Sequence, residues 1–224
     1  DTDGDGHPDS EDAYPNDPTR WEETSNFIAP NSVQLSSYTT WGYWNNDPTN
    51  FEIYGQQTPT SVIDNTTSPY GLMQNHISAT FVGKAVGVQS TAMGTPSESL
   101  ATATQLTSRN GANPWGTVSL SINFESGATD PITGSINFDQ LTATMHNGAV
   151  GSRSFNGQLS SGAGAGSGDF SGDYYGTNVV NNITVPGAVA GHFGFTIPQG
   201  GIGHDLVFKG IFGANCTSAT MQID

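Results

Sequence analysis

The strongest constraint in this chain is the strict alternation of apolar and polar side chains in short runs. In Thr117–Phe124, Val118, Leu120, Ile122 and Phe124 fall on one face, while Thr117, Ser119, Ser121 and Asn123 fall on the other. A period of two is what a half-buried strand requires, and a slip of one residue would turn every apolar side chain to water. After the loop Glu125–Pro131 the pattern resumes at Ile132 and continues through Gly134–Phe138, so the two runs read as a hairpin. Further strands are predicted at Gln34–Trp44, Asn50–Tyr54, His76–Ala85, Leu141–His146, Arg153–Leu159, Gly168–Tyr175, Ala188–Thr196 and Leu206–Phe212. Roughly ten strands separated by Gly, Asn, Asp and Pro predict an all-β, antiparallel barrel or sandwich.

Helix is scarce. One short helix is predicted at Ser97–Leu106, opened by Pro96, although its Thr and Ser residues are poor helix formers. Ser160–Gly168 reads as a Gly-Ala-Ser hairpin loop, because it lacks the Lys-Ser/Thr and the following helix of a phosphate cradle. Asn147-Gly148 is a turn signal, which leaves His146 exposed beside a turn.

Charge is sparse and uneven. Only 11% of residues are charged, the net charge is −15, and Lys and Arg together number 5. That excludes nucleic-acid and anionic-membrane binding, both of which need a basic surface. No apolar run approaches the ~20 residues that cross a bilayer as a helix. The chain opens directly on Asp1, read as a processed or truncated terminus. Cys216 is the only cysteine, so no intrachain disulfide exists, and its surroundings predict a small buried side chain.

Nine of the 20 acidic residues lie within residues 1–23, a segment rich in proline and without hydrophobic periodicity. The run Asp1-Thr2-Asp3-Gly4-Asp5-Gly6-His7-Pro8-Asp9-Ser10-Glu11-Asp12 places carboxylates at alternating positions around Gly6. Calcium takes six to eight oxygen ligands, and Gly6 permits the sharp turn that brings the His7 carbonyl onto the ion. The expected Ca2+ ligands are Asp1, Asp3, Asp5, the His7 carbonyl, Asp9 (directly or through water) and Asp12. The imidazole of His7 is a poor ligand for a hard cation. Together with Ala13-Tyr14-Pro15-Asn16-Asp17-Pro18, this stretch resembles the thrombospondin type 3 repeat, which implies a non-helical calcium-binding segment over residues 1–23.

Tyr38, Trp41, Tyr43 and Trp44 put aromatics on both faces of one strand. They read as core packing, with a ligand-stacking platform as the alternative. The body of the chain resembles the β-barrel domain of the transferrin-binding protein B type. The resemblance rests on Thr40-Trp41-Gly42-Tyr43-Trp44, on Ser78–Gly87, on the hairpin Gly116–Phe138, and on Phe155–Leu159, Gly168–Gly176, Val189–Phe195 and Lys209–Ala214 in that order. It implies an up-and-down barrel of about eight strands over residues 27–224, at a bacterial surface or in a secreted protein. It also implies capture of iron, haem or a host iron protein as one function.

No nucleophile stands with a base, and the Gly164–Gly168 match to a nucleophile elbow lacks the required central position and context. His7, His76, His146, His192 and His204 show no metal-ligand spacing, although a single axial histidine (His146, His192 or His204) would suffice for haem. His192 reads as a packed or interfacial residue. Asp169 and Asp173 share one strand face and read as solvent-facing. The residues therefore point to a non-enzymatic, calcium-stabilised extracellular module. Its expected role is structural assembly or adhesion, through contacts with other copies of itself or with other surface proteins.

Overall fold

The computed structural model describes residues 27–28, 38–44, 47–63, 71–92, 104–106, 115–161, 166–198 and 205–221. Strands β1 (Phe27–Ile28), β2 (Thr39–Trp44) and β3 (Asp47–Gly55) form a small antiparallel sheet in the order β1-β2-β3. Single helical turns follow at Thr60–Ile63 and Leu72–Gln74. The remaining strands are β4 (Ile77–Ala92), β5 (Thr104–Gln105), β6 (Gly116–Asn123), β7 (Ile132–Asn137), β8 (Thr142–Val150), β9 (Ser154–Ser161) and β10 (Ser167–Tyr175). They end with β11 (Asn178–Val180), β12 (Ile183–Val185), β13 (Ala188–Ile197) and β14 (Asp205–Met221).

Eight of these strands, β4, β6, β7, β8, β9, β10, β13 and β14, neighbour one another in chain order, and β14 pairs back onto β4. Every pairing is antiparallel, so the architecture is a closed up-and-down barrel. The Thr117–Phe124 and Gly134–Phe138 runs do form a hairpin, with Val118 opposite Ile136. Closure removes the sheet edges that would otherwise invite pairing with another chain.

The alternation read from the sequence fills the lumen. In β6 the residues from Gly116 to Asn123 alternate between buried and more exposed positions, with Val118, Leu120 and Ile122 inside. Aromatic rings occupy the centre. Phe155 lies 5.3 Å from Tyr174 and 6.3 Å from both Phe170 and Phe212, and Phe124 lies 5.7 Å from Tyr174. Thr117, Ser119, Thr142, Thr144, Asn156 and Gln158 face outward. Apolar inside and polar outside is the reverse of what a lipid-spanning barrel requires. Among the described residues no helix is long and apolar enough to cross a membrane.

The β1–β3 sheet stands outside the barrel and packs on its outer wall, so the described part of the predicted Gln34–Trp44 strand, Thr39–Trp44, and the Asn50–Tyr54 strand are not barrel staves; residues 34–37 lie outside the described residues. Trp41 is 1% exposed and packs on Val86 of β4 and Ile211 of β14, with Phe51, Ile53 and Trp115 around them. Its indole meets Trp115 edge-on at 6.5 Å. Gly213 lies directly beneath the Trp41 indole, where any side chain would overlap the ring. Tyr38 is clasped between Gly176 and Gly187 and joins Tyr175, Ala188, Ala190 and Ile53 in a second small apolar cluster. Tyr38 and Trp41 are therefore packing residues, and Trp41 is closed to any stacking ligand.

Three local expectations are corrected. The end of the predicted Ser97–Leu106 helix is a strand: Gln105 and Thr104 pair with Val88 and Gln89, and the Leu106 amide donates to the Gly87 carbonyl at 2.8 Å. An extended edge on β4 and a β-branched Thr outweigh a weak helical preference there. The rest of that segment lies outside the described residues. Asn147-Gly148 is a bulge inside β8 rather than a turn; Asn147 takes φ of 51° and the register shifts between His146 and Ala149. His146 is consequently half-buried rather than exposed. Finally, β9 runs on to Ser161 and β10 starts at Ser167, so both ends of the predicted Ser160–Gly168 loop belong to strands.

Candidate functional site

The lumen is filled, so binding chemistry must be sought on the outer wall. Register aligns side chains there in rows across the strands. One row runs His146–Gln158–Asp169–Gly194–Lys209 across β8, β9, β10, β13 and β14. The next runs Asn156–Ser171–His192–Ile211, and on the other side lies Ser160–Ser167–Thr196–Val207. Asp169 and Lys209 are both exposed, and Gly194 lies between them without a side chain. Two strand spacings separate their backbones by about 10 Å. A Cβ added at Gly194 would meet nothing within 4 Å, so the wall dips there.

Two hollows open on this dip, of about 670 Å³ and about 560 Å³. They share Asp169, Gly194 and Lys209 and so form one trough along the strands. The first extends to Ser171, His192 and Phe51, the second to His146, Gln158 and Thr196. Phe51, from the outer sheet, supplies an apolar wall at one end. At the other end the Asn147 side-chain Nδ2 donates to the Gln158 side-chain Oε1 at 2.8 Å and holds that side chain in place. That bond exists because the β8 bulge turns Asn147 toward β9.

Partial burial lowers the pKa of His192 below its ordinary 6.5, and the carboxylate of Asp173 pulls it the other way. The side chain remains exposed on the outer wall, which corrects the packed reading. Burial thus favours the uncharged imidazole, in which one nitrogen donates and the other accepts. Asp169 and Asp173 do share the outer face of β10, with Asp169 exposed and Asp173 half-buried. Asp173 acts on its neighbours: it reinforces the burial that raises Tyr175 to about 12 and Tyr174 well above the usual phenol range. Cys216 is buried, as expected, and burial pushes its thiol up to about 11, which leaves it a poor nucleophile.

The expected calcium ligands Asp1, Asp3, Asp5, His7, Asp9 and Asp12 lie outside the described residues, as does His204. Among the described residues no group of three His, Cys, Asp or Glu is placed to hold a metal. The trough escaped sequence reading because its members come from strands far apart in the chain. Its one legible sign is Lys209, a rare basic residue at an outward position of an alternating run.

No protein-family model matches the chain, and no curated protein matches it in sequence. Among solved structures it is similar to transferrin binding protein B from serogroup B Neisseria meningitidis, with 14% identity and a TM-score of 0.50 over 88% of this chain and 36% of that one. It is also similar to HpuA from Kingella denitrificans, solved in complex with human haemoglobin, with 15% identity and a TM-score of 0.46 over 91% of this chain and 62% of that one. The chain thus spans less than two thirds of either protein. At 14% identity the likeness to transferrin binding protein B is one of fold alone, a β-barrel like the one found there.

Proposed function

We propose that this chain is a non-enzymatic capture module of a bacterial surface, which binds a host iron protein on the outside of its barrel. The observation that carries this reading is the packed lumen. Phe81, Phe124, Phe155, Phe170, Tyr174 and Phe212 fill it, leaving the outer wall and the loops as the binding surface. A barrel of this kind cannot act as an internal carrier, and a polar outer wall with local apolar seats suits protein contact. The fold likeness to transferrin binding protein B makes transferrin the first partner to try. Calcium held by Asp1, Asp3, Asp5, the His7 carbonyl, Asp9 and Asp12 would stiffen the segment before the barrel.

The spacing of those six residues favours a second reading, a calcium-dependent module that assembles with copies of itself or with other surface proteins. One experiment separates the two. Surface plasmon resonance on immobilised human transferrin, iron-loaded and iron-free, is run beside light scattering of the chain with and without chelator. Saturable transferrin binding by a monomeric chain supports capture. Absence of binding, with large assemblies that dissolve on chelation, replaces it with the assembly reading.

A further inference from the structure

We propose that the outer trough centred on Gly194 is a binding site for a neutral, linear oligosaccharide. The proposal is independent of the capture reading, since it rests on the trough alone. The shape comes first: two hollows joined end to end through Asp169, Gly194 and Lys209 make an open, elongated groove, which fits a chain of repeated units better than a compact ligand. Charge comes second. One carboxylate faces one ammonium across a bare glycine, so these two fixed charges offset each other, and the other titratable side chains of the groove are His146 and His192.

The hydrogen-bonding character comes third. A sugar hydroxyl both donates and accepts, and it is matched by groups that do the same or that come as complementary pairs. Thr196 and Gln158 do both, Asp169 accepts and Lys209 donates, and neutral His192 does one at each nitrogen. Phe51 then offers an apolar surface to the C–H face of a pyranose ring at one end of the groove. A free α-amino acid fits less well, because its two charges sit far closer together than Asp169 and Lys209.

The test is calorimetry on the intact chain with four hexasaccharides, of α-linked glucose, β-linked glucose, N-acetylglucosamine and mannose. At least one should bind at millimolar concentration or below, with amide shifts confined to β9, β10, β13 and β14 in 15N spectra. Gly194→Leu starts from a Cβ that meets nothing within 4 Å and projects into the dip, so it should keep the fold and lower affinity at least tenfold. Asp169→Ala should weaken binding too, while Thr117→Leu on another part of the wall should not. A glycoprotein with N-linked chains and a soluble glucan, run in parallel, tell a partner's glycan from a free polysaccharide. Failure of all four sugars, full binding by Gly194→Leu, or binding of a zwitterionic tripeptide in their place would overturn the proposal.

Discussion

At position 213 the absence of a side chain decides where the outer sheet sits, because the Trp41 indole fills the space a Cβ would take. Gly213→Leu should therefore eject Trp41 while leaving the barrel lumen intact. The expected result is a red-shifted tryptophan emission with an unchanged barrel melting signal; loss of all folded structure would show that the sheet is integral to the barrel. Tyr174 makes the opposite case. Its hydroxyl is buried without a hydrogen-bond partner among the described residues, a situation that costs about 1–3 kcal/mol. Tyr174→Phe should raise stability by about 1 kcal/mol in urea titration, and a clear loss would reveal a partner for the hydroxyl. His192 gives a pH prediction. Its folded pKa lies below the unfolded 6.5, so on acidification the unfolded chain takes up the proton first. Stability from this residue is thus constant above 6.5 and declines as pH falls beneath it. An NMR titration should place the His192 midpoint below 6.5, and a midpoint above it would mean that Asp173 outweighs burial.

At the scale of elements, the closing pair β4–β14 does most to define the barrel. β14 runs for 17 residues and β4 for 16, and their ladder extends from Asp205–Ala92 to Met221–Ile77, with one irregularity between Cys216 and Ser218. The sequence reading stopped these strands at Phe212 and Ala85, because glycines and outward apolar residues blur the period beyond those points. Ile211 and Val86 face outward yet are buried, since the outer sheet covers them. Where no cover exists, alternation is decisive. Leu120 is 1% exposed in the lumen, packed with Val118 and Ile122 of the same face. Leu120→Asp would strand a carboxylate without a partner, a penalty of several kcal/mol that rivals the stability of a whole domain. Circular dichroism of that variant should show an unfolded or aggregated chain; a native melting curve would contradict the packed lumen.

For the molecule as a whole, the barrel and the acidic segment should respond to calcium separately. The barrel has its own apolar core and, among the described residues, no metal-holding cluster. Calorimetry should detect calcium binding that Asp3→Ala combined with Asp5→Ala removes, while chelation leaves the far-ultraviolet spectrum of the barrel unchanged. Unaltered binding in the double variant would sink the ligand assignment. Collapse of the barrel on chelation would place a metal elsewhere in the fold.

Local residue order was enough to assign the all-β class, the inward residues of the hairpin from Thr117 to Phe138, the burial of Cys216 and the outward placement of Asp169. The burial of Cys216 follows from the apolar character of a lone thiol; the others follow from a period of two, which one strand writes into its own residues. Tertiary structure alone decided the rest. It set β2 and β3 outside the barrel, because the seat of Trp41 is built by Val86, Ile211 and Gly213, far along the chain. It turned Asn147-Gly148 into a bulge, because β8 finds continued pairing on β9 there, at Ala149 with Asn156. It also assembled the trough, because Asp169, Gly194 and Lys209 become neighbours only when the register across three strands is fixed. Alternation tells each strand which face to bury, but it carries no information about which residues of other strands will stand beside it.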